Sequence, residues 1–225
     1  MKPLSSDFYE GVRRNLQDRA EDAGLDGLLL LTPGNVTYAT GWHFSRNERP
    51  VGLWIGTNDG PWLLVPYLER EYAMAVPGVD VRTYEEFPGV IPAVLWMIDE
   101  IGARRMAIDA LDAALLRHAE AKLDRLELVD HALPERAVKT EAELVLVREA
   151  ASFADQVLER LLTAGGDIIR QGGTEADLLA DCTGYVSRIL TDMHGEAFQG
   201  TKMGITASVH SGPRGALPHG SVTTR

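Results

Sequence analysis

The chain has 225 residues, 45% of them hydrophobic, which is enough to bury one large core or two ordinary ones. Its 33 acidic and 22 basic residues give a formal charge of −11, which disfavours binding to nucleic acid or to anionic lipid surfaces. No apolar run approaches the ~20 residues of a membrane-spanning helix, and the N-terminus lacks the apolar core of a signal peptide, so we expect a cytoplasmic protein.

The first elements are a predicted helix, a strand and a hairpin. Apolar residues recur at every fourth position between Asp7 and Ala23, which predicts an amphipathic helix. The next run, LDGLLLLT, predicts a strand buried on both faces. We interpret PGNVTYATG as a turn, because it has turn-forming residues at both ends and lacks the Gly-Lys-Ser/Thr ending of a phosphate loop. VGLWIG and PWLLVP then give the clearest predicted hairpin.

Strands and helices alternate in the segment after the hairpin. The predicted order is strand VDVRTYEE, helix Ile91–Ile101, strand RRMAIDA, helix LDAALLRHAEAKL and strand LELVDH. Such alternation predicts an α/β architecture with a mostly parallel sheet, to which the hairpin adds antiparallel strands. We assign this α/β domain, a mixed sheet with helices on both faces, to residues 1–132.

Residues 133–225 differ in character and begin with a long predicted helix. Thr140 and Glu143 form a capping-box pattern, and the apolar face that follows is predicted to end before Gly165 and Gly166. A second capping pattern predicts another helix from Glu175 to about residue 191. This helix includes Cys182, the only cysteine of the chain, which we expect to be buried and unreactive. The last candidate strand is GITASVHSG.

Two histidines, His210 and His219, lie in the Gly- and Pro-punctuated segment SVHSGPRGALPHG. Such a loop could direct one imidazole into a cleft, and the alternative is that both are surface histidines of an end segment. They do not have the i, i+4 spacing of a helical metal-binding pair. Glu196 is the only acidic residue from Gly195 to the end, so this segment lacks the carboxylates that a two-metal site needs.

Arg46 and Arg49 follow the sequence GWHFS and are the remaining candidates for a binding role. A guanidinium group is planar and suited to carboxylates, although a surface or interface ion pair stays open as the alternative. The four tryptophans fall mostly in strand or helix patterns and are interpreted as core residues.

Taken together, these segments resemble the creatinase, prolidase and aminopeptidase P group, the pita-bread metallopeptidase superfamily. The resemblance rests on DGLLLLTPGNVTYATGW, the hydrophobic hairpin, an Arg such as Arg49, and the linker RAVKTEAELVLVREAASFAD. It continues through the Gly-Thr-Glu helix start at 173–175 and through ASVHSGPRGALPHG, where Pro218 and His219 match a Pro-His pair of the family. The order and spacing of these motifs cover nearly the whole chain.

The resemblance implies a metal-dependent peptidase that cleaves the bond before proline. It implies that residues 133–225 hold a linker helix and the first part of an α+β pita-bread domain, with His219 in the substrate pocket and Arg49 in substrate binding. In the family two divalent metals, commonly manganese or cobalt, are held by two Asp, one His and two Glu that all follow the residue matching His219. We therefore expect no metal ligands and no cofactor in this chain, which should be an inactive fragment of a longer protein.

Two alternatives remain open at this point. One is a creatinase-like hydrolase or lyase that uses the same cleft without metal, and the other is a non-catalytic oligomerisation module. The resemblance also implies a homodimer, and a peptide or small-molecule substrate for the longer protein. We further expect a strand around Ile205 to Ser211 that has lost its sheet neighbours and presents an unpaired edge.

Overall fold

The computed structural model describes residues 4–44, 46–85, 91–195, 208–217 and 220–224. The described residues form two compact units, one ending at Lys139 and the other beginning at Thr140.

The first unit contains a six-stranded mixed sheet. Its elements are α1 (Ser6–Asp22), β1 (Gly27–Leu30), α2 (Pro33–Thr40), β2 (Gly52–Gly56), β3 (Trp62–Pro66), α3 (Arg70–Ala73), β4 (Asp80–Tyr84), α4 (Ala93–Ile101), β5 (Arg105–Ile108), α5 (Ala113–Glu120), β6 (Arg125–Leu128) and α6 (Leu133–Ala137). The strand order is β4-β3-β2-β1-β5-β6. Among these strands β1–β5, β5–β6 and β3–β4 pair in parallel, whereas β2 runs antiparallel to both β1 and β3. The predicted mixed sheet and its hairpin are confirmed.

Hydrophobic side chains cover both faces of this sheet, because successive residues of a strand point to opposite sides. Leu28 and Leu30 pack on one face with Leu16 of α1, whereas Leu29 packs on the other face with Met97 of α4. All five are nearly inaccessible to solvent. A strand buried on both faces has a continuous apolar run, which explains why LDGLLLLT predicted β1 correctly.

The segment PGNVTYATG forms a helix, so its interpretation as a turn is wrong. Pro33 occupies the first turn of α2, where its fixed φ suits a helix and its missing N–H costs nothing. Gly41 ends α2 in the left-handed conformation, with φ of 75°. Pro near the start and Gly after the end are helix boundaries here, although the same residues also favour turns.

The second unit consists mainly of two long helices, α7 (Glu141–Arg170) and α8 (Glu175–His194). Both predicted capping boxes are present, at Thr140 and Thr174. The predicted end of α7 before Gly165 is wrong, since the helix continues through both glycines; a Cβ on Gly165 would lie only 3.3 Å from a Leu178 methyl group of α8. Within the described ranges, none of the helices combines the length and apolar character needed to cross a membrane.

The C-terminal segment of this unit is only partly described. The predicted strand from Ile205 to Ser211 falls partly outside the described residues, and residues 208–211 have no regular secondary structure. A 3-10 helix then spans Gly212–Ala216. The strand prediction is therefore wrong for its described part. Pro218 and His219 lie outside the described residues.

We expect Leu64→Ala to lower the free energy of unfolding of the first unit by about 2–5 kcal/mol, because Leu64 is fully buried and its removal leaves a cavity. All four tryptophans lie in this unit, so urea unfolding followed by tryptophan fluorescence reports on it. Leu68→Ala is the matched control, since Leu68 is 51% exposed. Equal stability losses for the two variants would contradict the assigned core.

Candidate functional site

The candidate site lies at the carboxyl ends of strands β1 and β5. These strands are parallel neighbours, whereas β2 on the other side of β1 runs antiparallel. The chain leaves β1 into α2 and leaves β5 towards α5. In open α/β sheets, ligands bind in the crevice outside the carboxyl ends of strands, where the connections diverge. The fold therefore indicates a binding site at this edge of the sheet.

A pocket of about 130 Å³ opens at this edge and has Arg49 on its wall. Arg46 and Asn47 line it from the segment between α2 and β2, and Thr32 and Asp112 line it from the ends of the two strands. Its apolar lining includes Phe44, Val51, Val94, Leu111 and Leu115. The structure thus brings the two sequence-predicted arginines to one pocket. An apolar lining with guanidinium groups suits a small ligand that carries a carboxylate.

Arg49 is held by its neighbours but is accessible from the pocket. Its side chain is 37% exposed and forms an ion pair with Glu48. The Arg49 backbone N–H donates a hydrogen bond to Asn47 Oδ1 at 2.8 Å, which fixes the turn that carries the side chain. An exposed ion pair contributes at most about 1 kcal/mol, so a ligand carboxylate can compete with Glu48 for the guanidinium group.

A carboxylate next to the pocket, that of Asp109, joins the ends of β1 and β5. Asp109 follows β5 directly, and its Oδ1 accepts a hydrogen bond from the backbone N–H of Leu31 at 2.6 Å. Its Oδ2 accepts from the Thr32 N–H at 3.1 Å and from the Asn35 side-chain amide at 2.7 Å. Because hydrogen bonds to an ionised carboxylate are stronger than neutral ones, Asp109 fixes the chain at the start of α2.

Asn35 extends this network to the end of β6. The residue is fully buried, and its amide nitrogen also donates to Asp130 Oδ1 at 2.9 Å. Its carbonyl oxygen accepts a hydrogen bond from Arg136 Nη1 at 2.8 Å. Asp130 in turn accepts from the backbone N–H of Leu133 at 2.9 Å. The buried Asn35 amide therefore connects the segments that follow β1, β5 and β6, which are parallel strands.

The sequence alone does not reveal this network. Its patterns predict a turn at Asn35 and assign no role to Asp109 or Asp130. The available signal was an Asp near the carboxyl end of each of two predicted strands, RRMAIDA and LELVDH. Aspartates at the carboxyl ends of neighbouring parallel strands meet at one edge of the sheet, and this pattern would have indicated the network.

The second unit has a buried carboxylate of its own, Glu175 in the first turn of α8. Glu175 is 2% exposed. Its Oε1 accepts from the backbone N–H and the hydroxyl of Ser211, at 2.7 and 2.6 Å. Its Oε2 accepts from Arg214 Nη1 at 2.7 Å and from the Thr223 N–H at 3.0 Å. Glu175, from the predicted Gly-Thr-Glu helix start, therefore anchors the C-terminal segment to α8.

These contacts stabilise the ionised form of Glu175. The hydrogen bond from the Ser211 hydroxyl, followed by that from the Arg214 guanidinium, holds the pKa of Glu175 well below its ordinary value of 4.5. The position at a helix N-terminus also favours a negative charge. Glu175 is therefore ionised throughout the neutral and mildly acidic range, and its role in this chain is to bind the C-terminal segment.

Of the two candidate histidines, only His210 lies within the described residues. His210 is partly buried, and its Nε2 lies 2.9 Å from the Ser208 hydroxyl in the C-terminal segment. His219 lies outside the described residues, so its assignment to a substrate pocket stays a prediction. Among the residues that the structure describes, no group of three or more His, Cys, Asp or Glu side chains is placed to hold a metal ion.

Comparisons with known proteins give a consistent result. The model of the creatinase/prolidase N-terminal domain matches residues 13–161. A Mycobacterium tuberculosis protein named "Probable dipeptidase PepE" is 29% identical over 218 residues, which are 91% of this chain and 52% of that protein. The structure of dipeptidase PepE from Mycobacterium ulcerans has a TM-score of 0.69 at 22% identity, over 100% of this chain and 58% of that one. The prolidase from Pyrococcus horikoshii OT3 has a TM-score of 0.68 at 18% identity, over 96% and 56%. The chain spans about half the length of these proteins.

We expect Asn35→Ala to destabilise the first unit by about 2–3 kcal/mol, because it removes a buried amide that donates to the carboxylates of Asp109 and Asp130 and accepts from Arg136. Urea unfolding followed by tryptophan fluorescence measures the loss. Asn15→Ala is the control, since the exposed Asn15 amide makes only a long 3.4 Å hydrogen bond, and we expect a change below about 0.5 kcal/mol. An Asn35→Ala variant as stable as this control would show that the network does not hold the edge of the sheet.

The C-terminal segment should stay bound to Glu175 of α8 at mildly acidic pH. A carboxyl group whose pKa is lowered by folding stabilises the folded state above its unfolded pKa, near 4.5, and loses that effect only as the pH falls through the lowered value. Hydrogen-exchange protection of the Ser211 and Thr223 amides should therefore be constant from about pH 7 to about pH 4.5 and fall below that. Glu175→Gln should reduce this protection at neutral pH, whereas Glu159→Gln, at an exposed position of α7, should not. Loss of protection already near pH 6 in the unmodified chain would contradict the assignment.

Proposed function

The chain belongs to the creatinase/prolidase N-terminal domain family, and on this premise we propose that it is the N-terminal part of a metal-dependent peptidase that cleaves Xaa-Pro bonds. The family match over residues 13–161 supports this proposal. Further support comes from relatives named as dipeptidase and prolidase that share the fold over nearly the whole chain. Because this chain spans about half the length of those proteins, the activity is proposed for the longer protein.

In this proposal the two units have different roles. The first unit is a binding and assembly domain, and the second unit, with α7 and α8, begins a catalytic domain of the pita-bread type. The divalent metals, manganese or cobalt, bind to residues of the longer protein that follow this chain. The longer protein forms a homodimer and takes a peptide as its substrate. His219 keeps a substrate-side role by resemblance to the family alone.

The position of Arg49 is the observation that supports a binding role for the first unit. Its guanidinium group borders a pocket at the carboxyl ends of β1 and β5, the edge where α/β sheets bind ligands. A dipeptide ending in proline has a terminal carboxylate beside an apolar ring. Arg49 supplies the matching positive charge, and side chains such as Phe44 and Leu111 supply apolar surface. We propose that this pocket receives the carboxyl end of the substrate.

Because the proposed metal ligands lie outside this chain, we predict that the 225 residues alone do not hydrolyse Gly-Pro in the presence of Mn²⁺. A longer protein that contains this chain and the proposed metal ligands should hydrolyse it. Release of free proline measures both reactions, and Gly-Ala serves as a substrate without proline. Hydrolysis by the shorter chain, or no hydrolysis by the longer protein, would overturn the proposal.

Replacing Arg49 in the longer protein should mainly weaken substrate binding. Arg49→Gln removes the charge that pairs with the substrate carboxylate, so we expect KM for Gly-Pro to rise about tenfold while kcat changes much less. Arg117→Gln, at an exposed position of α5 away from the pocket, is the control. A kcat loss with unchanged KM, or equal effects of the two substitutions, would remove Arg49 from substrate recognition.

A further inference from the structure

A larger pocket, of about 420 Å³, lies at the opposite edge of the sheet. It opens beside the β2–β3 turn, where the end of β2 pairs with the start of β1. The residues that line it are Glu10, Arg13, Arg14 and Gln17 of α1, residues 55–61 from the end of β2 and the turn after it, and Gly78 before β4. This volume is in the ~300–1,000 Å³ range of small-molecule sites. The pocket shares no lining residue with the Arg49 pocket.

Arg13 is a buried cation on the wall of this pocket. It is 7% exposed, and its Nη1 donates a hydrogen bond to the carbonyl oxygen of Ala39 at 2.9 Å, in the last turn of α2. Within the described part of the chain, this is its one hydrogen bond, and no carboxylate lies within 4 Å. A guanidinium group has five N–H donors, so most of those of Arg13 have no partner among the protein atoms that the structure describes. Burial lowers the pKa of Arg13, an effect that the charge of Glu10 partly offsets.

Charges of both signs surround this guanidinium group. Arg14 adds a second positive charge, and Glu10 and Asp59 add two negative ones. In the described ranges, neither Arg14 nor Glu10 forms an ion pair or a side-chain hydrogen bond. Asp59 uses Oδ1 to accept the indole N–H of Trp54 at 2.8 Å, which orients its carboxylate. The lining is therefore neutral overall but has separate positive and negative groups.

Gly78 keeps the space between two of these groups open. It has a φ of 70°, a conformation that residues with a side chain rarely adopt. A Cβ at this position would lie 2.8 Å from Arg13 Nη2 and 3.9 Å from Glu10 Oε1. A cationic and an anionic side chain thus border the same small opening, which a larger residue would fill.

We propose that this pocket binds a small zwitterion, an amino acid or a dipeptide. Its carboxylate pairs with Arg13 and Arg14, and its ammonium group pairs with Glu10, because the Asp59 carboxylate already accepts the indole N–H of Trp54. A carboxylate is the natural bidentate partner of a buried guanidinium group. The two acidic residues disfavour a ligand that is only an anion, and the two arginines disfavour one that is only a cation. The site is separate from the proposed substrate pocket and does not depend on peptidase activity.

The test is a titration of the ¹⁵N-labelled 225-residue chain with alanyl-alanine, followed by NMR. We expect saturable shifts of the amides of Gly56, Gly60 and Gly78, all of which line the pocket. N-acetyl-alanyl-alanine lacks the ammonium group and alanyl-alanine amide lacks the carboxylate, so each should bind about tenfold more weakly. A dipeptide without proline separates this site from the proposed recognition of Xaa-Pro substrates.

Variants on the exposed rim identify the charges involved. Arg14→Gln and Glu10→Gln should each weaken alanyl-alanine binding about tenfold without affecting the fold, because both side chains are exposed. Arg117→Gln removes an exposed positive charge elsewhere and should leave binding unchanged. The proposal is overturned if millimolar alanyl-alanine causes no shifts at the three glycines, if all three ligands bind equally, or if the shifts occur only around Arg49.

Discussion

The hydrogen bond between the buried Asn35 amide and the carboxylate of Asp109 is the constraint on which the candidate site depends. Asp109 also binds the chain as it leaves β1, so the ends of two parallel strands and the start of α2 are held as one piece. Buried polar groups must find partners within the protein, which gives this arrangement little freedom to shift. Thr32 and Asp112, on the wall of the Arg49 pocket, lie within three residues of this network.

In the second unit, a buried carboxylate at the start of α8 also finds its partners within the protein. Glu175 is buried as an ion, and donors from two hydroxyls, a guanidinium group and two backbone N–H groups offset the cost of its desolvation. In both units a carboxylate binds backbone N–H groups of a distant segment. Neither carboxylate has an assigned chemical step. Each holds the segment that it binds in place.

Local patterns in the sequence predicted most of the elements, whereas contacts between distant residues explain the errors. Apolar periodicity and the capping boxes at Thr140 and Thr174 depend on neighbouring residues, and these predictions are confirmed. Gly165 lies inside α7, where α8 packs closely against it, and this contact cannot be predicted from the neighbouring residues. The Asn35 network was missed because its partners Asp109 and Asp130 are 74 and 95 residues away. Arg49 was predicted as a binding residue from the sequence, whereas the pocket that it lines was not, and its role in substrate binding stays a prediction.

The most direct test of this account is a double-mutant cycle with Asn35→Ala and Asp109→Ala, measured by urea unfolding with tryptophan fluorescence. If the two side chains act as one constraint, the double variant should be about 1–3 kcal/mol more stable than the sum of the two single losses predicts. Losses that add to within about 0.5 kcal/mol would contradict the account, because independent residues behave in that way.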